Sequence, residues 1–285
     1  MDKPPNFEEK LAAGGHVGTG EPIASAAIVM KIAAPLLVGM IFLGGWEALV
    51  RLNHVPSYIV PGPILVARTL VSDWSTLSSS LWITLENTGI AFAAAAFGGL
   101  VLAIVLAQSR LIELSLFPYA VILQVTPIVA IAPLIIIWVR DTQIALLICA
   151  WIVAFFPVVS NTTLGLHSAD HNLLNLFQLY GASRRQVLWL LRLPSAMPYF
   201  LGGLRISGGL ALIGAVVAEF VAGTAGSESG LAYRILESGY RLNIPRMFAA
   251  LVMISLAGVL IFLVLTLVQH IVLRRWHESA VRREN

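Results

Sequence analysis

The chain has 285 residues, 58% of them hydrophobic and 12% charged, with a formal net charge of +3. Together with a mean hydropathy of +0.85, this excludes an ordinary soluble domain and places the chain among multi-spanning membrane proteins. Every lysine lies at or before Lys31, so there is no Gly-x-x-x-x-Gly-Lys-Ser/Thr phosphate loop, and any nucleotide chemistry belongs to a partner.

Residues 1–27 mix Pro, Gly, acids and lysines without periodicity, which predicts a flexible cytoplasmic lead. Residues 28–275 read as the transmembrane domain and 276–285 as a cytoplasmic tail. A hydrocarbon core about 30 Å thick needs roughly 20 apolar residues per helical span. Six windows qualify: Ile32–Val50, Thr84–Gln108, Phe117–Trp138, Ile144–Gly165, Ala196–Ala222 and Ala249–Leu273. The basic residues Arg110, Arg184, Arg185, Arg192, Arg274 and Arg275 then fall on the side that holds both termini, which predicts cytoplasmic N and C termini. The arginines Arg274, Arg275, Arg282 and Arg283 read as a positive-inside anchor against membrane lipid. Basic residues are otherwise scattered, so no nucleic-acid surface is implied. The single cysteine, Cys149, lies in an apolar run and reads as a small core residue.

Two connections on the other side carry helical patterns. Pro61-Gly62-Pro63 is a turn signal followed by Ile64, Leu65, Ala67, Leu70 and Val71 at helical spacing. From Gly230 to Pro245, the residues Leu231, Ile235, Leu236 and Tyr240 share a face, and Arg234, Glu237 and Arg241 are spaced for ion pairs. Both segments are expected to lie along the outer membrane surface.

Between the fourth and fifth spans runs a loop, residues 166–195, that is long enough to be functional. Leu173, Leu174, Leu176, Phe177 and Tyr180 precede Gly181, and Val187, Leu188, Leu190 and Leu191 follow it. Glycine is poor in helix interiors and permits a tight turn, so two short helices are predicted, with Ser183 capping the second and Pro194 stopping it.

This segment resembles the cytoplasmic signature loop of permease subunits of binding-protein-dependent ABC importers. That loop reads Glu-Ala-Ala, three residues, Gly, nine residues, Ile-x-Leu-Pro. Gly181, Leu191, Leu193 and Pro194 match it, and Asn175, Leu176 and Phe177 depart from its acidic start. The resemblance covers roughly residues 56–273. Gln124 to Leu134, Phe156-Pro157 with Asn161 to Leu166, Gly203 to Ser207 and Val217 to Phe220 resemble the nitrate/sulfonate/taurine branch.

The resemblance implies an all-α, six-helix fold of the type I importer class in a bacterial cytoplasmic (inner) membrane. It implies a homodimer with a second permease copy, two cytoplasmic ATPases and an extracytoplasmic substrate-binding protein. The chain itself would be no enzyme and would bind no cofactor; ATP and Mg would sit on the partner ATPase. The solute would be a small polar organic or inorganic molecule. Docking of the ATPase would rest on Gly181, Ala182, Ser183, Arg184 and Arg185, with Pro194 fixing the exit.

Polar residues within the spans are candidates to line the translocation pathway: Gln124, Thr126, Asn161, Arg205, Ser207 and Glu219. Bonding between helices competes with that role in each case; the two readings balance for Gln124, and the structural one leads for Thr126, Arg205 and Glu219. Glu219 and Arg205 share a helix face but stand about 21 Å apart along the axis, too far to pair. Pro127 and Pro133 free backbone carbonyls in the third span. His167 and His171, with Asp170 beside them, have the spacing of a metal pair but no evident further ligands, so no metal site is assigned. The paired glycines Gly98-Gly99, Gly202-Gly203 and Gly208-Gly209 are expected to allow close helix approach. The alternative to an importer subunit is a secondary transporter or channel working without an ATPase, which would call for interrupted spans in inverted halves.

Overall fold

The computed structural model describes residues 22–223 and 229–274, and every regular element among them is helical. Most of the expected N-terminal lead and all of the 276–285 tail lie outside the described residues. The chain divides into two compact units, residues 1–55 and 56–285.

The first unit contains α1, Pro22–Leu52, which begins well before the expected Ile32. Leu36, Val38, Ile41 and Phe42 are all exposed, the mark of a helix that is apolar on every side. At its end Arg51 Nε donates to Glu47 Oε1 at 2.6 Å, one turn back. The chain then leaves through a left-handed His54, φ 51°.

The second unit is a helical bundle. Its elements are α2 (Pro63–Ser72), α3 (Trp74–Leu106), α4 (Arg110–Val125), α5 (Ile128–Val139), α6 (Thr142–His167), α7 (His171–Leu179), α8 (Arg184–Val187), a π turn (Leu188–Arg192), α9 (Leu193–Ala222), α10 (Leu231–Tyr240) and α11 (Ile244–Leu273). Among the described residues five helices, α1, α3, α6, the α8–α9 run and α11, are long and apolar enough to span a membrane; α4 with α5 makes the sixth if taken as one bent span.

The centre of the bundle is α6. More than half of its spanning window, 56%, is buried, against 11% for α11. Small residues bring its neighbours close. On α3 the stripe Ala91, Ala95, Gly99 and Ala103 is buried at every fourth position, a spacing that allows two backbones to approach. A Cβ on Gly99 would stand 2.8 Å from Val158, and one on Gly203 of α9 would stand 2.9 Å from the Pro157 carbonyl. The Pro157-Val158 step of α6 is thus gripped from both sides. Of the glycine pairs, Gly99, Gly203 and Gly208 meet neighbours closely, whereas Gly202 and Gly209 face open space.

Two expectations are corrected. The third span is not continuous: α4 and α5 are bent by 99° at Thr126-Pro127. Proline lacks an N–H and pushes the preceding residue out of the helical region. Thr126 takes φ −71°, ψ 122° and Pro127 ψ 111°, so two extended residues turn the axis, while Pro133 sits inside α5 without breaking it.

Pro194 does not stop its helix. With no N–H to offer Leu190, it is accommodated by a widened turn in which Leu193 N–H donates to the Leu188 carbonyl, five residues back. Pro194 then lies in the first turn of α9, where no donor is required.

The two patterned connections form as α2 and α10, each with one face packed against the bundle. Val66 of α2, Leu77 of α3, Leu231 of α10 and Ala249, Ala250 and Met253 of α11 share one core cluster. Arg246 Nε reaches Asp73 Oδ2 at 2.5 Å across it.

Candidate functional site

At one end of the bundle the chain folds into an exposed helical knuckle. Asp170 Oδ1 accepts from Asn172 N–H at 2.7 Å and starts α7. The helix ends in a two-bond C-terminal motif: Ala182 N–H donates to the Phe177 carbonyl at 2.9 Å and Gly181 N–H to the Gln178 carbonyl at 3.0 Å. That motif needs a left-handed residue after the helix, and Gly181 supplies it at φ 69°. The next helix starts at once. Ser183 Oγ accepts from Gln186 N–H at 3.3 Å, and Gln186 Oε1 accepts from Ser183 N–H at 2.7 Å, a reciprocal capping box. Gly-Ala-Ser therefore closes one helix and opens another with no free residue between them.

Leu173, Leu176, Trp189 and Leu190 are exposed, and Leu179 and Tyr180 are each 84% exposed. A cleft of about 380 Å³ runs between α7 and α8, lined by Leu176, Phe177, Tyr180, Gly181, Ala182, Gln186 and Leu190. Arg184 and Arg185 stand exposed beside it. Behind the knuckle, Leu188 and Leu193 pack on Ala103, Ala107, Leu166 and Ala196, and Arg192 Nη1 donates to the Ala107 carbonyl at 3.1 Å. His167 Nδ1 lies 3.8 Å from Glu113 Oε1. No group of three or more metal-ligating side chains gathers among the described residues.

The opposite end is held by a buried polar cluster. Glu219, 1% exposed, accepts at Oε2 from the Thr84 hydroxyl at 3.0 Å and from Ala232 N–H at 3.3 Å. Thr84 Oγ1 accepts in turn from Leu231 N–H at 2.9 Å. The first amides of α10 are thus satisfied by side chains of α9 and α3, as orphan amides at a helix start require. Gly230 lies directly on the carboxylate, so any Cβ there would collide with it. Gln143 Nε2 donates to Asn87 Oδ1 at 2.5 Å, and the Asn87 side chain also bonds the Glu219 carboxylate.

On α10, Glu237 receives two arginines. Arg234 Nη1 meets Oε2 and Arg241 Nη2 meets Oε1, each at 2.9 Å, and Arg234 Nε also donates to Ser80 Oγ at 2.9 Å.

The six intramembrane candidates are spread over α4 and its end, α6 and α9. Gln124 is exposed and Thr126, whose hydroxyl donates to Ile122 O at 2.6 Å, marks the break between α4 and α5. Asn161 donates to the Pro157 carbonyl at 2.8 Å, within its own helix. Ser207 is buried and donates to the Ala154 carbonyl at 2.6 Å, tying α9 to α6. The Arg205 guanidinium stands 5.5 Å from the Phe262 ring centroid. Thr84, Asn87 and Gln143 escaped sequence reasoning; the i, i+3 spacing of Thr84 and Asn87 inside an apolar run was the available signal.

An all-helical membrane bundle with a broken span, a long helix and an exposed two-helix knuckle at its base defines a transporter membrane subunit. The sequence model of the family described as "Binding-protein-dependent transport system inner membrane component" matches residues 95–278, and the chain belongs to that family. It is 32% identical to a probable ABC transporter permease protein of Haemophilus influenzae, over 82% of this chain and 94% of that protein. It is 31% identical to the formylaminopyrimidine transport permease protein ThiX of Halalkalibacterium halodurans, over 84% of this chain and 94% of that one. Permeases for aliphatic sulfonates, taurine and nitrate are also relatives, at 26 to 28% identity, in keeping with the branch the motifs resemble. Among solved structures, the fold matches a chain of an amino acid ABC transporter with a TM-score of 0.59 at 18% identity, covering 73% of this chain and 97% of that one. The chain is a permease subunit of an ABC transporter.

Proposed function

We propose that two copies of this chain form the translocation pathway of an ATP-driven importer, with both termini cytoplasmic and the α7–α8 knuckle docked on an ATPase subunit. The observation that carries this reading is the knuckle itself: a rigid, doubly capped turn with an open apolar cleft, continuous with the longest helix of the bundle. Leu176, Phe177, Tyr180 and Leu190 offer apolar area, and Arg184 and Arg185 offer charge at its rim. Gly181, Ala182 and Ser183 fix the shape, and Pro194 sets the helix exit through the π turn. ATP and Mg belong to the ATPase, and this chain contributes no catalytic residue and no cofactor ligand. An extracytoplasmic binding protein delivers a small polar solute to the α10 end. Drawing the two ATPases together moves the knuckles and exchanges the inward-open and outward-open states.

Pathway lining is assigned first to Gln124, exposed in an otherwise apolar span, and to Thr126 at the break, where two extended residues lie within a span. Arg205, Ser207 and Glu219 make contacts that join helices within the chain, and Asn161 bonds back along its own helix.

The test is capture of a Walker-motif ATPase by the tagged chain, repeated with residues 182–185 deleted. Capture that disappears on deletion supports the reading. Solute uptake by the purified chain alone, with no ATPase, refutes it.

A further inference from the structure

Two helix ends meet beside the knuckle. His167 is the last residue of α6, and Glu113 lies in the first turn of α4. Each charge suits its place, since the closing carbonyls of a helix favour a cation and the opening amides an anion. His167 Nδ1 stands 3.8 Å from Glu113 Oε1, beyond hydrogen-bonding range, so the attraction requires a protonated imidazole. Histidine is the side chain that ordinarily changes charge between about pH 5 and 8.

Little else at this end competes for either group. On the elements packed against α4 and α6, residues 95–106 of α3, 128–139 of α5 and 193–204 of α9 carry no charge. The π turn brings Arg192, which donates to the Ala107 carbonyl. Asp170 is taken up in starting α7, and Arg110 and His171 are exposed. His167–Glu113 is the ion pair that joins α4 to α6 among the described residues.

The pair sits where it can pass on a movement. Ile112 and Phe117 pack against the core cluster of Leu106, Phe155 and Val159, whereas Tyr119, Ile122 and Val125 further along are exposed. The bundle therefore grips α4 through its first half, beside the pair. On the other side, Ser168, Ala169 and Asp170 separate His167 from α7. The Ser168 N–H and hydroxyl both donate to the Gly165 carbonyl, so the corner from α6 into the knuckle is tight.

We propose that the His167–Glu113 contact is a proton-controlled clasp between the knuckle and α4. With His167 charged, the start of α4 is tied to the corner and follows the knuckle. As the pH rises and the imidazole loses its charge, the tie is released and α4 moves more freely. The direction follows from the pair: the stabilisation is present at the acidic end of the histidine range and lost at the alkaline end. The clasp rests on the importer reading for what drives the knuckle; the contact itself belongs to the chain alone.

The experiment is hydrogen exchange of residues 113–121 in the full-length chain in lipid nanodiscs, expressed as protection relative to the intrinsic rate, from about pH 5.5 to 8.5, a window above the ordinary carboxylate range. Both side chains are partly exposed, so protection in the parent is expected to fall by only about two- to fivefold across that window. Glu113→Gln and His167→Gln should abolish the fall, giving the low protection throughout, and His167→Lys, which keeps a charge, should hold the high protection to the alkaline end. A flat parent profile, a fall that persists in Glu113→Gln, or a His167→Lys chain that still loses protection overturns the proposal. A chain that shows the fall but captures no ATPase keeps the clasp and loses the importer reading; capture with a flat profile does the reverse.

Discussion

The Glu219 cluster makes a prediction whose size follows from its contacts. Glu219→Ala removes the acceptor of two hydrogen bonds, from the Thr84 hydroxyl and from Ala232 N–H. Ala232 is fully buried, so its amide is left without a partner, which costs about 1–3 kcal/mol. The emptied side-chain volume adds a further loss of about 1 kcal/mol or more where the surroundings cannot collapse. Gly230 already lies against the carboxylate, so partial collapse is available there, and a total near 3 kcal/mol is expected. Glu219→Gln keeps the length and one acceptor oxygen, and gives up the second acceptor of a carboxylate that the Asn87 side chain also bonds. About 1 kcal/mol is expected for it.

Because the lost bonds hold the first turn of α10, the loss should appear there before it appears in global unfolding. Hydrogen exchange of residues 231–241 in detergent should accelerate roughly a hundredfold in Glu219→Ala and several-fold in Glu219→Gln, with α7 unchanged in both. Unchanged exchange in that segment for Glu219→Ala would show that α10 does not depend on the carboxylate. Thr84→Val should resemble Glu219→Ala, since Thr84 both donates to the carboxylate and accepts from Leu231 N–H.

Adjacent glycines of α9 should respond in opposite ways to a single methyl. Gly203→Ala places a Cβ at 2.9 Å from the Pro157 carbonyl and 3.1 Å from Asn161 Cβ and should lower stability by about 1–3 kcal/mol in a detergent melt, whereas Gly202→Ala meets nothing within 4 Å and should be neutral or mildly stabilising. The Asp73–Arg246 pair, with side chains 20% and 25% exposed, should give a coupling energy of about 1 kcal/mol in a double-mutant cycle, discounted for solvent screening; a value indistinguishable from zero would remove it from the α3–α11 junction. At the knuckle, Ser183→Ala loses one cap, about 1 kcal/mol, and Gly181→Ala forces a left-handed Cβ at about 1–2 kcal/mol, so both should weaken ATPase capture without altering exchange in residues 231–241.

What could be read from the sequence divides by distance along the chain. The spans were legible because hydropathy is a local average, and the Gly181–Ser183 corner because its two capping motifs close within a few residues. The break at Pro127 was not, since Pro35, Pro118, Pro133, Pro157 and Pro198 also lie inside helices that continue. Which proline breaks depends on what surrounds it. Pro194 was misread for the same reason: a missing donor can be absorbed by a π turn as well as by an end. The partners of Glu219 were out of reach because Thr84 lies 135 positions away. The glycine pairs gave half the answer, as only the member facing a neighbouring helix acts in packing.

These contacts decide how a push at the knuckle would travel. The run from Arg184 to Ala222 is one helix of 39 residues, about 58 Å at roughly 1.5 Å per residue. Along its length it is fixed to α6: Gly203 sits on the Pro157 carbonyl, Ser207 bonds the Ala154 carbonyl, and Gly214 lies where a Cβ would stand 2.8 Å from Ala150 Cα. At its base Arg192 bonds the Ala107 carbonyl at the C-terminal cap of α3, and at its far end Glu219 holds α3 and α10 together. A close-packed interface of this kind moves as a block. The π turn is the one departure from regular helix in that run, and Arg192 at its end ties it to α3, so displacement of the knuckle is delivered to two spans at once. By contrast, α11 is largely exposed and α4 is divided from α5 by the bend. Nevertheless α11 stays tied to the block, through Leu265 against Gly208 and the core cluster it shares with α3 and α10, so the exposed residues of α4 beside the bend mark the edge of the rigid part.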